Sequence, residues 1–271
     1  MIKIGEGHKS EVFLLPDGRI LKLFFPHFAS LEPEEREVSL LLARAGVQAP
    51  RVDDTMEVDG RPGIVFGNLK AGETLGSAVR SKPWRIVAMA RHLAGLHAAV
   101  HECRSTELPS QRSRLEEEIR GSGAASDETR SEALRALSKL PDDETVCHND
   151  IHMLNVIVHP EQWMIIDWAL ATRGNRLADV AAALLQLRFG ELPRGRLART
   201  ALESGRALFC RAYLHCYLGI KPGQRDELER WELPVAVALA GRREGTMRKQ
   251  LVTRVNELAG IRRGRPAGVQ T

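Results

Sequence analysis

Over its first 70 residues the chain sets short apolar runs between turn-forming residues, and beyond them apolar positions mostly recur at helical spacing. Ile2–Ile4, Glu11–Leu15 and Arg19–Phe25 read as strands, the last two bracketing a Pro16-Asp17-Gly18 hairpin turn. From Pro33 the period changes. Val38, Leu41, Leu42 and Ala45 form one apolar helix face, with Glu32, Glu34 and Glu35 near the start and Gly46 placed to end it. Two further strands, 51–58 and 62–69, meet at Asp59-Gly60. After Gly72 the pattern is helical. Trp84–Glu102 carries Ile86, Met89, Ala90, Leu93, Leu96 and Val100 on one side, and a short charged helix follows near Leu115–Arg120. Ser126 or Asp127 is placed to cap the next helix. Short strands return at Thr145–Cys147, Asn155–Val158 and Met164–Ile166. Beyond 176 the chain is helical, interrupted at Gly190, Pro193 and Gly219–Gly223. The architecture expected is α+β: a small β-rich lobe (1–69), a larger helical lobe (70–261) and a basic, disordered tail (262–271).

Composition narrows the class. The 271 residues are 43% hydrophobic and 27% charged, which excludes wholesale disorder. No apolar run approaches the roughly 18 residues of a membrane span. The N-terminus lacks the apolar stretch of a secretory signal. Cys103, Cys147, Cys210 and Cys216 are scattered without a C-x-x-C pair, which argues against a disulfide framework and points to the cytoplasm. Charge is uneven: residues 191–271 hold 16 basic and 8 acidic groups, a net +8, against −4 for the remainder. That basic third meets an anionic partner or simply forms solvated helix faces.

The densest group of unusual residues is Cys147-His148-Asn149-Asp150-Ile151-His152-Met153-Leu154-Asn155, followed by Asp167 after the apolar Met164-Ile165-Ile166. A carboxylate at the end of a buried strand must bind a cation or be hydrogen-bonded. Asp150, Asn155 and Asp167 make an oxygen set suited to Mg²⁺. His148 and His152 have zinc-like spacing, but the segment does not read as a helix and lacks a third ligand. Near the N-terminus, Gly5-Glu6-Gly7-His8-Lys9-Ser10-Glu11-Val12 lies between two strands, where glycines let backbone N–H groups approach an anion. Lys22 alternates with Leu21 and Leu23, so it faces under that loop, and Glu37 on the next helix is its expected ion partner.

In this order the motifs resemble the aminoglycoside phosphotransferase / choline kinase family, with its protein-kinase-like bilobal fold: a small antiparallel-sheet N-lobe and a larger, mainly helical C-lobe. The resemblance rests on Gly5–Val12, Lys22, Glu37, His148-x-Asp150-x-x-x-x-Asn155 and Ile166-Asp167-Trp168. Gly72-Glu73-Thr74-Leu75, Leu93-Ala94-Gly95-Leu96-His97 and Gly174–Ala181 add to it, and together the motifs span roughly 1–185. Two places depart from the family: Asn149 stands where glycine is usual, and Met153-Leu154 where proline and glycine are usual.

The resemblance implies an ATP- and Mg²⁺-dependent kinase acting on a hydroxyl of a small molecule, antibiotic or metabolite. It implies that Gly5, Gly7 and Ser10 cradle phosphates, that Lys22, oriented by Glu37, holds them, and that backbone groups of Phe66-Gly67-Asn68-Leu69 meet adenine. Asn155 and Asp167 would bind the metal, and Asp150 would take the hydroxyl proton. His148, His152 and Asp179 would serve as structural partners of the loop. Trp163, Trp168, Phe209, Leu202, Tyr213 and Cys216 read as packing, and Cys147 as an inert thiol.

Three other classes compete. A protein kinase needs a long activation segment, and only 11 residues separate Asp167 from Asp179. A nucleotide-binding pseudokinase would have no reason to keep every buried polar group. Arg263-Gly264-Arg265-Pro266 matches the core of a DNA minor-groove hook, a short match that makes nucleic acid an unlikely partner. A cationic antibiotic would want an acidic pocket, so the +8 C-terminal third tilts the acceptor toward a neutral or anionic metabolite.

Overall fold

Glycines set the first turns. The Pro16-Asp17-Gly18 turn closes through Leu15 N–H to Arg19 C=O (2.9 Å) and Gly18 N–H to Leu15 C=O (3.0 Å), with Gly18 at φ +86°. The second hairpin turns on Asp59 (φ +51°) and Gly60 (φ +74°), the left-handed pair that a two-residue turn requires. These turns join β1 (Ile2–Glu6), β2 (Ser10–Leu14), β3 (Ile20–Phe24), β4 (Val52–Val58) and β5 (Arg61–Phe66) in one antiparallel sheet, in the order β1-β2-β3-β5-β4. Helix α1 (Leu31–Arg44) lies between β3 and β4 in the chain. The computed structural model describes residues 1–190, 196–223 and 225–263. The 264–271 part of the expected tail, with most of the Arg263–Pro266 match, lies outside them, as do Pro193 and the Leu202 side chain.

Strand β3 is buried on both faces. Leu21 and Leu23 join Leu15 and Val65 on one side, while Ile20 and Phe24 join Ile64 and Phe66 on the other. Lys22 therefore does face away from Leu21 and Leu23, but its own side of the sheet is a second apolar cluster. An ammonium in that setting needs a countercharge.

Beyond β5 come β6 (Glu73–Thr74), α2 (Leu75–Ser81), α3 (Ile86–Val100), α4 (Gln111–Gly121) and α5 (Asp127–Leu137), the last capped by Ser126 Oγ accepting from Thr129 N–H. Strands β7 (Thr145–Cys147), β8 (Val156–His159), β9 (Gln162–Ile165) and β10 (Thr172–Gly174) form two small sheets, β7 with β10 and β6-β8-β9. The segment 148–155 is the loop between β7 and β8. Helices α6 (Arg176–Phe189), α7 (Arg196–Ile220), α8 (Arg225–Arg242) and α9 (Gly245–Arg263) complete the chain. No helix among the described residues is long and apolar enough to cross a membrane.

Helix α8 is the axis of this half. Its Leu233-Pro234-Val235-Ala236-Val237-Ala238-Leu239-Ala240 run is buried all round, packed by α4, α5, α6 and α9. Gly241 ends the run because a Cβ there would lie 2.9 Å from Ser122 Oγ and 3.2 Å from Ser122 Cα. The close crossing aims the next two residues, Arg242 and Arg243, at the 148–155 loop. Gly241→Val should force the crossing apart and lower stability by about 1–3 kcal/mol, read from urea unfolding. Wild-type stability in that variant would mean that the α8 end has slack.

Candidate active site

Lys22 finds its countercharge in Glu35. Nζ donates to Oε1 at 2.6 Å and Oε2 at 2.8 Å, and reaches Asp167 Oδ1 at 3.2 Å. Burial works against the Lys22 ammonium, but Glu35 and then Asp167 outweigh it and hold its pKa above the ordinary lysine value. The expected partner, Glu37, is exposed on α1 and is corrected to Glu35. The reason is the helix period. The buried positions of α1 are Glu32, Glu35, Ser39 and Leu42, and Glu37 lies about 200° around the axis from Glu35. The apolar positions Val38, Leu41 and Ala45 mark a neighbouring side of the helix, so apolar spacing alone pointed past the glutamate that pairs with Lys22.

Above Lys22, β1 and β2 meet in a tight turn in which Gly7 N–H donates to Ser10 C=O at 2.9 Å. Neither Gly5 nor Gly7 has a left-handed φ. A Cβ at Gly5 would meet Val12 at 3.7 Å, and one at Gly7 would meet Ser10 O at 3.9 Å. Nothing inside the chain requires glycine at either position. Ser10 is buried. At the exit of β5, Phe66 packs into the sheet. Asn68 braces the strand start, accepting from Arg51 N–H at 2.6 Å and donating to Ala49 C=O at 3.0 Å. Gly67 N–H is held by Arg51 C=O and Asn68 C=O by Gln162, so these two groups are already engaged.

The 148–155 loop hangs from Asp179 on α6. Its carboxylate accepts from His148 N–H (2.5 Å) and Asn149 N–H (2.7 Å), and from the Nε2–H of His97 (3.1 Å) and His101 (3.3 Å). The Tyr213 hydroxyl lies 2.6 Å from His97 Nδ1, and the Tyr217 hydroxyl donates to Nδ1 of the neutral His101 at 2.6 Å. Every ring nitrogen and hydroxyl of the group thus has a partner. Among the described residues, His97, His101 and Asp179 are the one set of such donors near enough to hold an ion, and their hydrogen bonds are complete without one. Burial opposes the Asp179 charge, yet the histidine donors hold its pKa well below the usual carboxylate range. Burial, with His97 adding to it, pushes His101 down to about 4.

Asn149 sits at φ +62°, a conformation that favours glycine and that asparagine tolerates. Its side chain offsets that cost. Nδ2 donates to Leu170 C=O (2.9 Å) and Thr172 Oγ1 (2.8 Å), while Oδ1 accepts from Gln111 Nε2 (2.8 Å). His148 buttresses the loop: Nδ1 accepts from Asp150 N–H (3.1 Å) and Nε2–H donates to Ile166 C=O (3.0 Å). Both nitrogens are occupied, so the zinc-like spacing with His152 has no metal role. His152 Nδ1 accepts from Leu154 N–H at 3.2 Å, and its Nε2 lies 3.7 Å from Asp150 Oδ2.

Asp150 is buried, with Oδ2 accepting from Asn155 Nδ2 at 3.2 Å. Asn155 Nδ2 also donates to Asp150 C=O at 3.0 Å, which leaves its Oδ1 outside both bonds. Asp167 is left-handed at φ +63°, turning its half-exposed carboxylate into the cleft beside Lys22. Burial raises its pKa and Lys22 more than compensates, keeping it below the ordinary value. The Asp150–Asn155 pair is tied to the Lys22–Asp167 pair by Ile166 N–H, which donates to Asn155 C=O at 2.9 Å. Trp168 is core, its Nε1–H bonded to Ile165 C=O at 2.9 Å. The Cys147 thiol is buried and pushed up by burial, as expected of an inert group.

Sequence reasoning missed Arg243. From the start of the α8–α9 turn it donates to Asp150 Oδ1 and to Gln186 Oε1, while Arg242 Nη2 donates to Asn149 C=O at 3.0 Å. The contact spans 93 residues, and no local pattern announces it.

The model of the phosphotransferase enzyme family matches residues 1–214. The fold is similar to that of choline kinase LicA from Streptococcus pneumoniae, with 15% identity, TM-score 0.61, and 96% of this chain and 92% of that chain covered. It is also similar to a thermostable aminoglycoside phosphotransferase APH(4)-Ia in ternary complex with ADP and hygromycin B (14% identity, TM-score 0.63, 98% and 94% covered). An aminoglycoside-3′-phosphotransferase of type VIII shares 20% identity at TM-score 0.58, with 87% and 91% covered. No curated protein matches in sequence.

Two outcomes test this geometry on the folded protein alone. In a double-mutant cycle of Lys22→Met and Glu35→Gln, unfolding should show a coupling of about 1–3 kcal/mol, whereas Glu37→Gln should stay within about 0.5 kcal/mol of wild type. Additive losses would separate Lys22 from Glu35. The second test is pH. Folded His101 stays neutral down to about 4, while the unfolded side chain takes a proton near 6.5. Between those values the unfolded chain binds more protons, so stability falls as pH drops through the window. At pH 4.5 the His101 share should reach about 2–3 kcal/mol. His101→Gln should flatten the stability–pH curve there; an unchanged slope would contradict a buried neutral imidazole.

Proposed function

Because the chain belongs to the phosphotransferase enzyme family, we propose that it transfers the γ-phosphate of ATP to a hydroxyl of a small molecule, with Asp150 receiving the hydroxyl proton. The observation that carries this reading is the run of contacts from Lys22 to Asp167 and, through Ile166 N–H on Asn155 C=O, to Asn155 and Asp150. Glycines at 5 and 7 that the chain's own packing does not require support a phosphate approaching from outside.

Each group then has a task. Lys22, kept charged and aimed by Glu35, binds the nucleotide phosphates. Asp150 orients the attacking hydroxyl and takes its proton as the oxygen bonds to phosphorus. Asn155 positions Asp150 through its Nδ2. The oxygen donors Asn155 Oδ1 and the Asp167 carboxylate suit a hard cation, and Mg²⁺ held there would supply charge neutralisation to the phosphates. Asp179 and His148 hold the loop without touching substrate. Four free cysteines fit the reducing cytoplasm expected from the sequence.

The test uses Asp150→Asn and Asp167→Ala beside wild type, with ATP·Mg²⁺ binding, thermal stability and phosphate transfer to a hydroxyl panel measured on the same preparations. D150N should keep nucleotide affinity and lose about 10²–10⁴ in turnover. D167A should lose turnover altogether. D150N activity within a few-fold of wild type would remove the base role. A wild type that binds nucleotide and phosphorylates nothing would favour a binding protein.

A further inference from the structure

The acceptor side of Asp150 is cationic. Asp150 presents Oδ2 to Asn155 and His152, and Oδ1 to Arg243. Both bonds of Arg243, to Asp150 and to Gln186, leave from Nη2. Its Nε is buried without a hydrogen-bond partner, although about a quarter of the side chain remains exposed. A guanidinium has five N–H donors; Nη2 spends both of its hydrogens on Asp150 and Gln186, and Nη1, neither hydrogen-bonded nor buried, is the end left for an oxyanion. The carboxylates in contact with the two neighbouring arginines are Glu118 at 3.4 Å from Arg242 and Asp150 itself. The partly exposed Arg243 guanidinium suits an anion and repels a cation.

We propose that Arg243 reads a negative charge on the acceptor, so that the preferred acceptor is an anionic hydroxyl compound bearing a carboxylate or a phosphate. This rests on the phosphotransferase reading above and names the substrate class of the same cleft. Arg243 sits on the oxygen of Asp150 opposite Asn155, away from the Lys22–Asp167 side. An oxyanion on its Nη1 end would hold a hydroxyl of the same molecule against Asp150. Arg243 is thus a specificity residue, and the hydroxyl proton still goes to Asp150.

Wild type, Arg243→Gln and Arg243→Lys are compared, each first checked for folding by circular dichroism. Turnover of ATP·Mg²⁺ is measured with glycerate, glycerol 3-phosphate, glycerol, choline and kanamycin. In wild type one or both anionic compounds should exceed glycerol by about 10- to 100-fold in kcat/KM, and choline and kanamycin should be poorest. Which anion leads distinguishes carboxylate from phosphate. R243Q should erase the preference through KM, with nucleotide affinity unchanged, and R243K should restore part of it. A preference for choline or kanamycin, or one that survives R243Q, overturns the proposal while leaving a kinase. An equal loss of kcat with every acceptor also overturns it, since that would place Arg243 on the transferred phosphoryl group. Binding of glycerate and glycerol 3-phosphate is titrated in parallel by thermal shift, with and without ADP·Mg²⁺. Stabilisation in wild type and none in R243Q is expected, and no stabilisation in wild type sinks the proposal even if nothing turns over. A wild type that binds no nucleotide sinks the phosphotransferase reading instead, and the anion titration still judges Arg243.

Discussion

One buried carboxylate governs the 148–155 loop. Asp179 is fully buried, and an unpaired charge there would cost several kcal/mol. It is compensated by two backbone N–H groups and two imidazoles, and each imidazole is fixed in turn by a tyrosine hydroxyl. The consequence is geometric. The chain bends sharply at His148-Asn149 because both consecutive N–H groups must point at one carboxylate, and that bend throws Asn149 into the left-handed region. Asp150 follows directly, so its position derives from Asp179. Helices α3, α6 and α7 meet at this point, which ties the largest core to the placement of the reacting group.

Substituting asparagine for the usual glycine at 149 is consistent with that arrangement. A side chain at positive φ costs on the order of 1 kcal/mol even for asparagine. Two buried hydrogen bonds, to Thr172 and Gln111, and a part-buried one to Leu170, each worth about 0.5–1.5 kcal/mol, outweigh it. Glycine would leave the loop free to rotate there. Asparagine ties it to β10 and α4, which favours a stiffer, preorganised site.

Much of the fold was legible because its signals are local. The two hairpins announce themselves by Pro-Asp-Gly and Asp-Gly, the strands by apolar runs, and α3 by its spacing. Candidate residues at element ends, such as Asp150, Asn155 and Asp167, stood out through their order along the chain. What failed was orientation. Apolar spacing on α1 locates its hydrophobic side, and Glu35 lies beside that side on the face turned to Lys22, so Glu37 looked equally good. The arginines were illegible for a different reason: α8 is apolar all round, so periodicity gives no facing, and only tertiary packing shows where its end points.

The two ion pairs of the cleft differ in what they do to it. Lys22–Glu35 lies within the N-terminal half, and both groups are mostly shielded from water. It aligns a cation that must stay charged and leaves Asp167 in reach. Arg243–Asp150 joins residues 93 apart and remains partly solvated, which weakens it. A strong, dry pair at Asp150 would hold the carboxylate away from an incoming hydroxyl. A partly wet one, with Arg243 anchored a second time by Gln186, can yield Asp150 to substrate while the guanidinium stays in place. The C-terminal helices therefore contribute more than a wall. Through the apolar axis of α8 they bring a fixed positive charge against Asp150, the proposed base.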